Sequence, residues 1–426
     1  MSVCRTDLGS GLRRHTPGSA AGSVVQGPLT TGALWDACRK RMHDLGLMQA
    51  GVASLEPLEI ASLRLEDFLA RGYASEMSYL GARSEGGSLL REDPHSVHPR
   101  AKSALVVALP YDGEEVDDGE EVRSTPPGEL LRGKVAGYAR RKDYHLVLKE
   151  LLLELADFLA EKSGRMVESR VCVDSAPLFE RDLAVRAGFA FLGKNTLAIA
   201  PGWGSFFVLG ELLVDLALPA SNVQASEGCG SCDACLRACP TDAFDGPYRL
   251  DPRRCVSFLT IESSLDIPRS LRSGMGDRIF GCDDCQTACP YNHSKRRPSP
   301  PPDFVERGEL ARPGLVELLS LSSSGYRRLV SQTALRRVSR VQLARNAAVA
   351  LGNSGQERAV EPLVAVAKTH SSPQVRSHAT WALGRLACDF EISDAREALC
   401  ELAMSPHLEV ASEVRRWLPA DDAEND

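Results

Sequence analysis

The run Cys229-x2-Cys232-x2-Cys235-x3-Cys239-Pro240, echoed as Cys282-x2-Cys285-x3-Cys289-Pro290, constrains this chain more than any other feature. Its first copy has the bacterial ferredoxin spacing for [4Fe–4S] clusters, in which closely spaced cysteines hold one cluster and the cysteine before proline reaches across to the other. Under that rule Cys229, Cys232 and Cys235 take Cys289 as fourth ligand. Cys282 and Cys285 take Cys239, and Cys255, alone between the motifs, completes the second set. With 13 cysteines in 426 residues, a preset four-cysteine pattern arises by chance about once per million starts. Disulfides need an oxidising compartment that nothing in the sequence signals. Zinc favours separated ligand pairs without a third close cysteine and a trailing proline. The expectation is a protein that moves electrons through two clusters.

The length calls for several domains. A composition 43% hydrophobic and 25% charged is that of an ordinary globular protein, and no apolar stretch suits a membrane span. A net charge of −7 argues against a uniformly basic surface but leaves room for a local basic face. Residues 1–29, rich in Gly, Ser and Thr, are expected to be a disordered leader. Arg13-Arg14 invites a twin-arginine export reading, but His15-Thr16-Pro17-Gly18-Ser19 follows where an apolar region is required. A cytoplasmic protein is expected.

Apolar spacing predicts helices over Leu34–Leu47, Leu63–Leu69, Leu146–Leu159 and Leu183–Ala187. Strands are expected at Gln49–Ala53, Ala104–Leu109 and Arg170–Val173, with Phe206–Leu216 in the core. Asp112 to Glu129, acidic and interrupted by Pro126-Pro127-Gly128, reads as a solvent loop. The fold class is therefore α+β and multidomain: an α/β domain over 30–220, a ferredoxin-like domain over 221–300, and helical repeats over 301–420 beyond a linker at Pro298–Pro302. The repeats show as Gln342, Ala347, Ala350, Leu351 and Gly352 returning 32 residues later as Gln374, Ala379, Ala382, Leu383 and Gly384. Their length and pattern are HEAT-like, and a third unit lies near Val410–Leu418. So few repeats must lean on the rest of the chain. Arg327, Arg328, Arg336, Arg337, Arg340 and Arg345 fall between Tyr326 and Arg345 without an acid, which reads as a set of nucleic-acid phosphate contacts that Lys295-Arg296-Arg297 could extend.

Further stretches carry a resemblance. They include Met77-Ser78-Tyr79-Leu80, Arg91-x-Asp93-Pro94, Tyr138-Ala139-Arg140 with Asp143-Tyr144-His145, and Val173-Asp174-Ser175-Ala176-Pro177 with Glu180-Arg181. Gly193-Lys194-Asn195-Thr196, Leu209-Gly210-Glu211, Arg254-Cys255-Val256-Ser257-Phe258-Leu259-Thr260 and Arg345–Asn353 complete the set. Together they resemble the epoxyqueuosine reductase family over roughly 30–400 of this chain. The chain departs from the family in its leader, its acidic loop, and Ser175-Ala176 where Thr-Gly is commoner.

The resemblance implies a monomeric, cobalamin-dependent enzyme. It would reduce epoxyqueuosine to queuosine at the wobble position of tRNAs with GUN anticodons, the last step of queuosine biosynthesis. Cob(I)alamin would do the reduction, recharged by the clusters from an external low-potential donor. By motif position Asp174 is the proton donor, with a carboxyl raised by burial under the corrin and substrate. The corrin pocket would be lined by Arg91, Tyr138, Asp174, Ser257, Cys282 and Asp283. Ala198, Leu209 and Leu212 would serve either the corrin or the core, and Lys194 and Asn195 either the site or a turn. Asp143-x-His145-x-x-Leu148 resembles the start of the D-x-H-x-x-G cobalt-binding motif, but Leu148 replaces the glycine, so base-off binding without a protein cobalt ligand is expected. Two alternatives stand beside this reading. A reductive dehalogenase would need a complete export signal and has no use for HEAT-like repeats. A ferredoxin-type electron carrier would leave the α/β domain and the arginines unexplained.

Overall fold

The structure, a computed structural model, describes residues 11–17, 29–47, 49–111, 131–221, 228–293, 299–304 and 306–418. The expected acidic loop, most of the leader and Lys295-Arg296-Arg297 lie outside the described residues. Five strands form the principal sheet: β1 (Arg13–His15), β2 (Gln49–Ala53), β3 (Ser103–Pro110), β4 (Val167–Cys172) and β5 (Phe207–Val214). Their spatial order is β1-β4-β5-β3-β2, and every pairing is antiparallel. Strand–helix alternation predicts the mixed composition correctly but says nothing of strand direction.

The strand β1 corrects the expectation of a wholly disordered leader. Arg13–His15 pairs with Val167–Ser169 at the sheet edge. His15 is buried there, its Nδ1 2.6 Å from Asp157 and its Nε2 2.9 Å from the Ser169 hydroxyl. An edge strand this short carries too little apolar signal to stand out in a Gly/Ser-rich stretch.

Helices α1 (Thr31–Asp44), α2 (Glu59–Ala70), α3 (Tyr144–Ser163) and α4 (Glu180–Arg186) flank the sheet. The helix α3 is capped by Asp143, which accepts the His145 amide, and ends at Gly164 in the left-handed conformation that glycine tolerates best. Its buried face, Val147, Leu148, Leu152, Leu155 and Leu159, closes the core on one side of the sheet. On the other side, α4 buries Leu183 and Ala184 over Val106, Cys172 and Leu213.

The cysteine region follows with two single-turn helices, α5 (Ala234–Arg237) and α6 (Asp284–Thr287), one inside each motif. Beyond it lie α7 (Ser323–Val330), α8 (Arg340–Asn353), α9 (Val360–Thr369), α10 (Pro373–Cys388), α11 (Ser393–Leu402) and α12 (Leu408–Val414). The sequence repeat maps onto α8 and α10, and its glycines explain themselves. A Cβ on Gly352 would lie 2.7 Å from the Ala382 backbone, and one on Gly384 would collide with the Trp417 ring. Each repeated glycine lets the next unit pack close.

The repeats do lean on the rest of the chain. Arg345, on α8, is fully buried and donates to the carbonyls of Leu259, Ser263 and Leu265. Asn346 donates to Thr260 and Ile279 carbonyls, both at 2.9 Å. His378 on α10 takes the Ile267 amide at 3.2 Å. These bonds clamp the segment around Cys255 and the strand entering the second cysteine motif.

Candidate active site

The two cysteine sets assemble from separated parts of the chain. Burial pushes up the Cys289 thiol, which also feels Cys229 and Cys232, and Cys235 feels Cys229, Cys289 and Cys232. In the other set burial again acts first, after which Cys255 feels Cys239, and Cys285 feels Cys255 and Cys282. Cys229, Cys232, Cys235 and Cys289 are thus near enough to act on one another, as are Cys239 with Cys255 and Cys255 and Cys282 with Cys285. Cys235 also acts on Cys285, so the two sets are adjacent. Every described cysteine is a free thiol. Among the described residues no three His, Cys, Asp or Glu side chains close on a single metal ion. A four-iron cluster holds its thiolates wider apart, so these donors suit a cluster better than a lone ion.

The sets differ in depth. Cys232 is exposed, whereas Cys255 and Cys282 pack against the main core. Lys194 belongs to the outer set: its Nζ donates to the Gly230 and Cys232 carbonyls at 2.7 and 2.8 Å, and its amide points at Cys229 Sγ, 3.4 Å away. Asn195 donates to the Cys285 carbonyl at 3.3 Å. Both residues therefore serve the cluster loops as well as a turn. The inner set borders a group of aromatic rings. Tyr138 lies 6.4, 5.8 and 6.3 Å, centre to centre, from Tyr111, Tyr144 and Phe280. Asp283, next to Cys282, accepts the Gly137 amide at 2.7 Å and so ties the motif to the Tyr138 turn.

Asp174 follows the end of β4 with a φ of 55°, a conformation aspartate adopts more readily than most residues. Its side chain is 44% exposed. Around it stand the Tyr144 hydroxyl, which donates to Oδ2, and His145, whose Nε2 is 4.0 Å away. Asp143 holds the other face of His145 at 2.7 Å and pairs with Arg336 at 3.3 Å. Glu180 accepts the Asp174 amide at 2.7 Å. The raised Asp174 carboxyl is expected under the corrin and substrate, and the chain's own groups pull the other way. Burial pushes it up, but His145, the hydrogen bonds from Tyr144 and Glu180, and Arg337 together hold it below the ordinary aspartate value. Sequence reading passed over Tyr144, His145 and Glu180 as functional. The signal was present in Asp143-Tyr144-His145 and Glu180-Arg181, but only folding shows that both face Asp174.

Other expected residues divide. Arg91 donates to the Leu178 carbonyl at 2.8 Å, lies 6.0 Å from the Tyr79 ring centre and keeps a buried Nε without a partner among the described residues. Ser257 is half-buried just before a π-helical turn at Phe258–Glu262. Ala198 is buried and Leu209 half-buried, both with the layer under α4. Leu212 does not reach that surface: it is fully buried in the core under α3, its backbone paired with Leu105 and Val171. Its contribution is to the core. Alternation along β5 sends Leu209 and Leu212 to opposite faces, which a motif alignment does not show.

The arginine block is also redistributed. Arg345 is the buried brace described above, so a phosphate contact from it is excluded. Arg337 meets Glu262 at 2.5 Å and Arg336 meets Asp143, so the acids missing from the block arrive from elsewhere in the chain. Arg340 is exposed and donates to the Leu321 carbonyl at 3.1 Å. Arg327 and Arg328 are exposed, with no carboxylate partner among the described residues. With Lys142, Asp303, Arg307, Ser331 and Gln332 they line an open cleft of about 710 Å³, in which four basic side chains face one acid.

Comparison with known proteins follows the same outline. A family model described as epoxyqueuosine reductase QueG, DUF1730, matches residues 91–175. A 4Fe-4S double cluster binding domain matches 228–292, and HEAT repeats match 332–418. An epoxyqueuosine reductase of Alicycliphilus denitrificans is 39% identical over 80% of this chain and 95% of its own length. That of Escherichia coli is 33% identical over 92% of this chain and 99% of its own. The chain belongs to the epoxyqueuosine reductase family. A crystal structure of an epoxyqueuosine reductase with an epoxyqueuosine-modified tRNA-Tyr stem loop superposes with a TM-score of 0.78 at 28% identity, covering 91% of this chain and 98% of that one. The family's outline thus runs through all three regions: the Asp174 domain, the iron–sulfur domain and the HEAT repeats.

Proposed function

We propose that this protein reduces epoxyqueuosine to queuosine at the wobble position of tRNAs with GUN anticodons. The observation that carries this reading is that the second cysteine motif is linked to Asp174 through Asp283, Gly137, Tyr138 and Tyr144, in a chain of this family. Electrons enter from an external low-potential donor at the set containing exposed Cys232 and pass to the set containing Cys282. The unmatched Arg91 Nε, the half-buried Tyr138 ring and the Cys282-Asp283 turn suit a large amide-fringed macrocycle such as cobalamin bound base-off. Cobalamin there would supply the strongly reducing centre that opening an epoxide requires.

The chain's own groups supply the rest. Asp174, aimed by Tyr144 and His145, delivers protons to the departing oxygen. Among the described residues no helix is long and apolar enough to cross a membrane, and the proposed setting is a monomer acting on tRNA in the cytoplasm. Exposed Arg327 and Arg328, with Lys142 and Arg307, offer phosphate contacts beside the pocket. The test is anaerobic incubation of cluster-reconstituted protein with cobalamin, a chemical reductant and epoxyqueuosine-bearing tRNA, followed by nucleoside mass spectrometry. Queuosine, lighter than the substrate by one oxygen, is expected; unreacted epoxyqueuosine with both clusters and corrin loaded would refute the assignment.

A further inference from the structure

Glu211 has no evident structural use. It sits within β5, opposite Cys172 on one side and Val106 on the other, and is fully buried. Neither carboxyl oxygen has a hydrogen-bond partner among the described residues. Its paired neighbours belong to the apolar layer under α4, and paired residues share a face, so Glu211 points into that layer. A carboxylate without donors is not stable there, whereas the neutral acid is. Burial accordingly pushes Glu211 well above the usual carboxylate range.

The helix packed over this layer begins with Glu180, the residue that accepts the Asp174 amide. Glu180 too is pushed well up, by burial first and then by the charges of Glu211 and Asp174. Asp174 goes the other way, for the reasons given above. Among the described residues the other charged or titratable neighbours include Arg91 near Glu180 and Asp174, Arg170 and Cys172 near Glu211, and Tyr79, Tyr138, Tyr144, His145 and Arg337 around Asp174. Three carboxyls thus form one local system running from the sheet interior to the pocket, with protons stored on the inner two and the outermost left poor in them.

We propose that Glu180, backed by Glu211, is a proton reserve that reloads Asp174 during turnover. This rests on the activity proposed above, whose balance demands it. Converting the epoxide to an alkene breaks two C–O bonds, takes up two electrons from the iron–sulfur side, and consumes two protons to release the oxygen as water. Asp174 holds at most one proton. In this sequence Glu180 hands its proton to Asp174, Asp174 protonates the oxygen, and a second proton that Glu180 takes up from solvent follows the same way as water leaves. Solvent restores Glu180 between turnovers, while Glu211, whose oxygens meet no partner among the described residues, keeps its own proton behind it. Glu180 and Glu211 act through Asp174 and are positioning residues.

The decisive variant is Glu180→Gln, which still accepts the Asp174 amide but carries no transferable proton. Its kcat should fall roughly 10–100-fold near neutral pH at unchanged KM, and the alkaline limb of kcat should move to lower pH. Infrared spectra of the cofactor-free protein at neutral pH should show protonated-carboxyl absorption that Glu180→Gln and Glu211→Gln each diminish. A pH profile identical to wild type in Glu180→Gln, or the absence of any such absorption removed by either change, would overturn the proposal. The infrared measurement needs no turnover, so its failure speaks against the reserve alone, whereas a wild-type protein inert toward epoxyqueuosine speaks against the activity.

Discussion

Asp174 shows how little a residue's identity says about its chemistry until its neighbours are known. Contact with His145, Tyr144 and Arg337 stabilises the anion against burial, whereas a donor needs the acid form. Substrate closing over the pocket would remove water from the carboxyl and shift it back toward the acid. Asp174→Asn keeps the size and the Tyr144 contact but removes the proton. Turnover should drop by roughly 10²–10⁴ with cluster and corrin content unchanged, measured by single-turnover kinetics. Wild-type rates in this variant would put the donor elsewhere.

Among elements, α8 and α7 divide the work that the arginine run suggested was shared. Arg345 on α8 supplies buried donors to a turn of irregular backbone whose carbonyls have no regular partners. Truncating it to Ala should destabilise the protein by about 3–5 kcal/mol, because it orphans several buried acceptors at once. Thermal denaturation would read this, and the salt slope of tRNA binding should stay as in wild type for whatever folded fraction remains. Arg327 and Arg328 on α7 should behave in the opposite way. Changing both to Gln should leave stability within about 0.5 kcal/mol and make log Kd against log salt shallower by about one unit per lost contact. An unaltered slope would remove α7 from the tRNA surface.

At the scale of the whole molecule, the joints between regions are polar and sensitive to their protonation. His378 is buried neutral between the repeats and the cysteine region. It donates from Nδ1 to the Gln374 carbonyl and accepts the Ile267 amide at Nε2. Burial, with Arg272 and Arg345 nearby, holds it well below its ordinary value of 6.5. A base whose folded value is depressed gives stability that is complete above the unfolded value and is lost as pH falls below it. Melting temperature should therefore decline below about pH 6.5, and less steeply in His378→Asn. Equal pH dependence in the two proteins would show that other groups set the acid limit.

The clusters test a second joint, because under the crossed wiring each would draw a ligand from the opposite motif. Cys289→Ala should damage the set built on Cys229, and Cys239→Ala the set built on Cys282. Each should lower iron from about eight toward four per chain, with distinct electron paramagnetic resonance losses. If each substitution instead abolished the cluster of its own motif, the crossed arrangement would be wrong.

The double-cluster domain and the order of elements were legible in the chain itself. Ligand spacing is a local property set by the few bonds between cysteines, and the 3.6-residue period of α3 and the unbroken apolar run of β3, buried on both faces, are equally local. The same holds for Gly352 and Gly384, whose period marks where helices touch. Tertiary structure decided what depends on residues distant in sequence. It took Arg345 into the core and paired Arg336 and Arg337 with Asp143 and Glu262, since charge runs do not reveal which acids fold against them. It turned Leu212 away from Leu209, added Arg13–His15 to the sheet, and set Glu180 and Glu211 behind Asp174. A carboxyl's proton affinity is the sum of burial and fields from side chains brought together only by folding, and that sum has no local signature in the sequence.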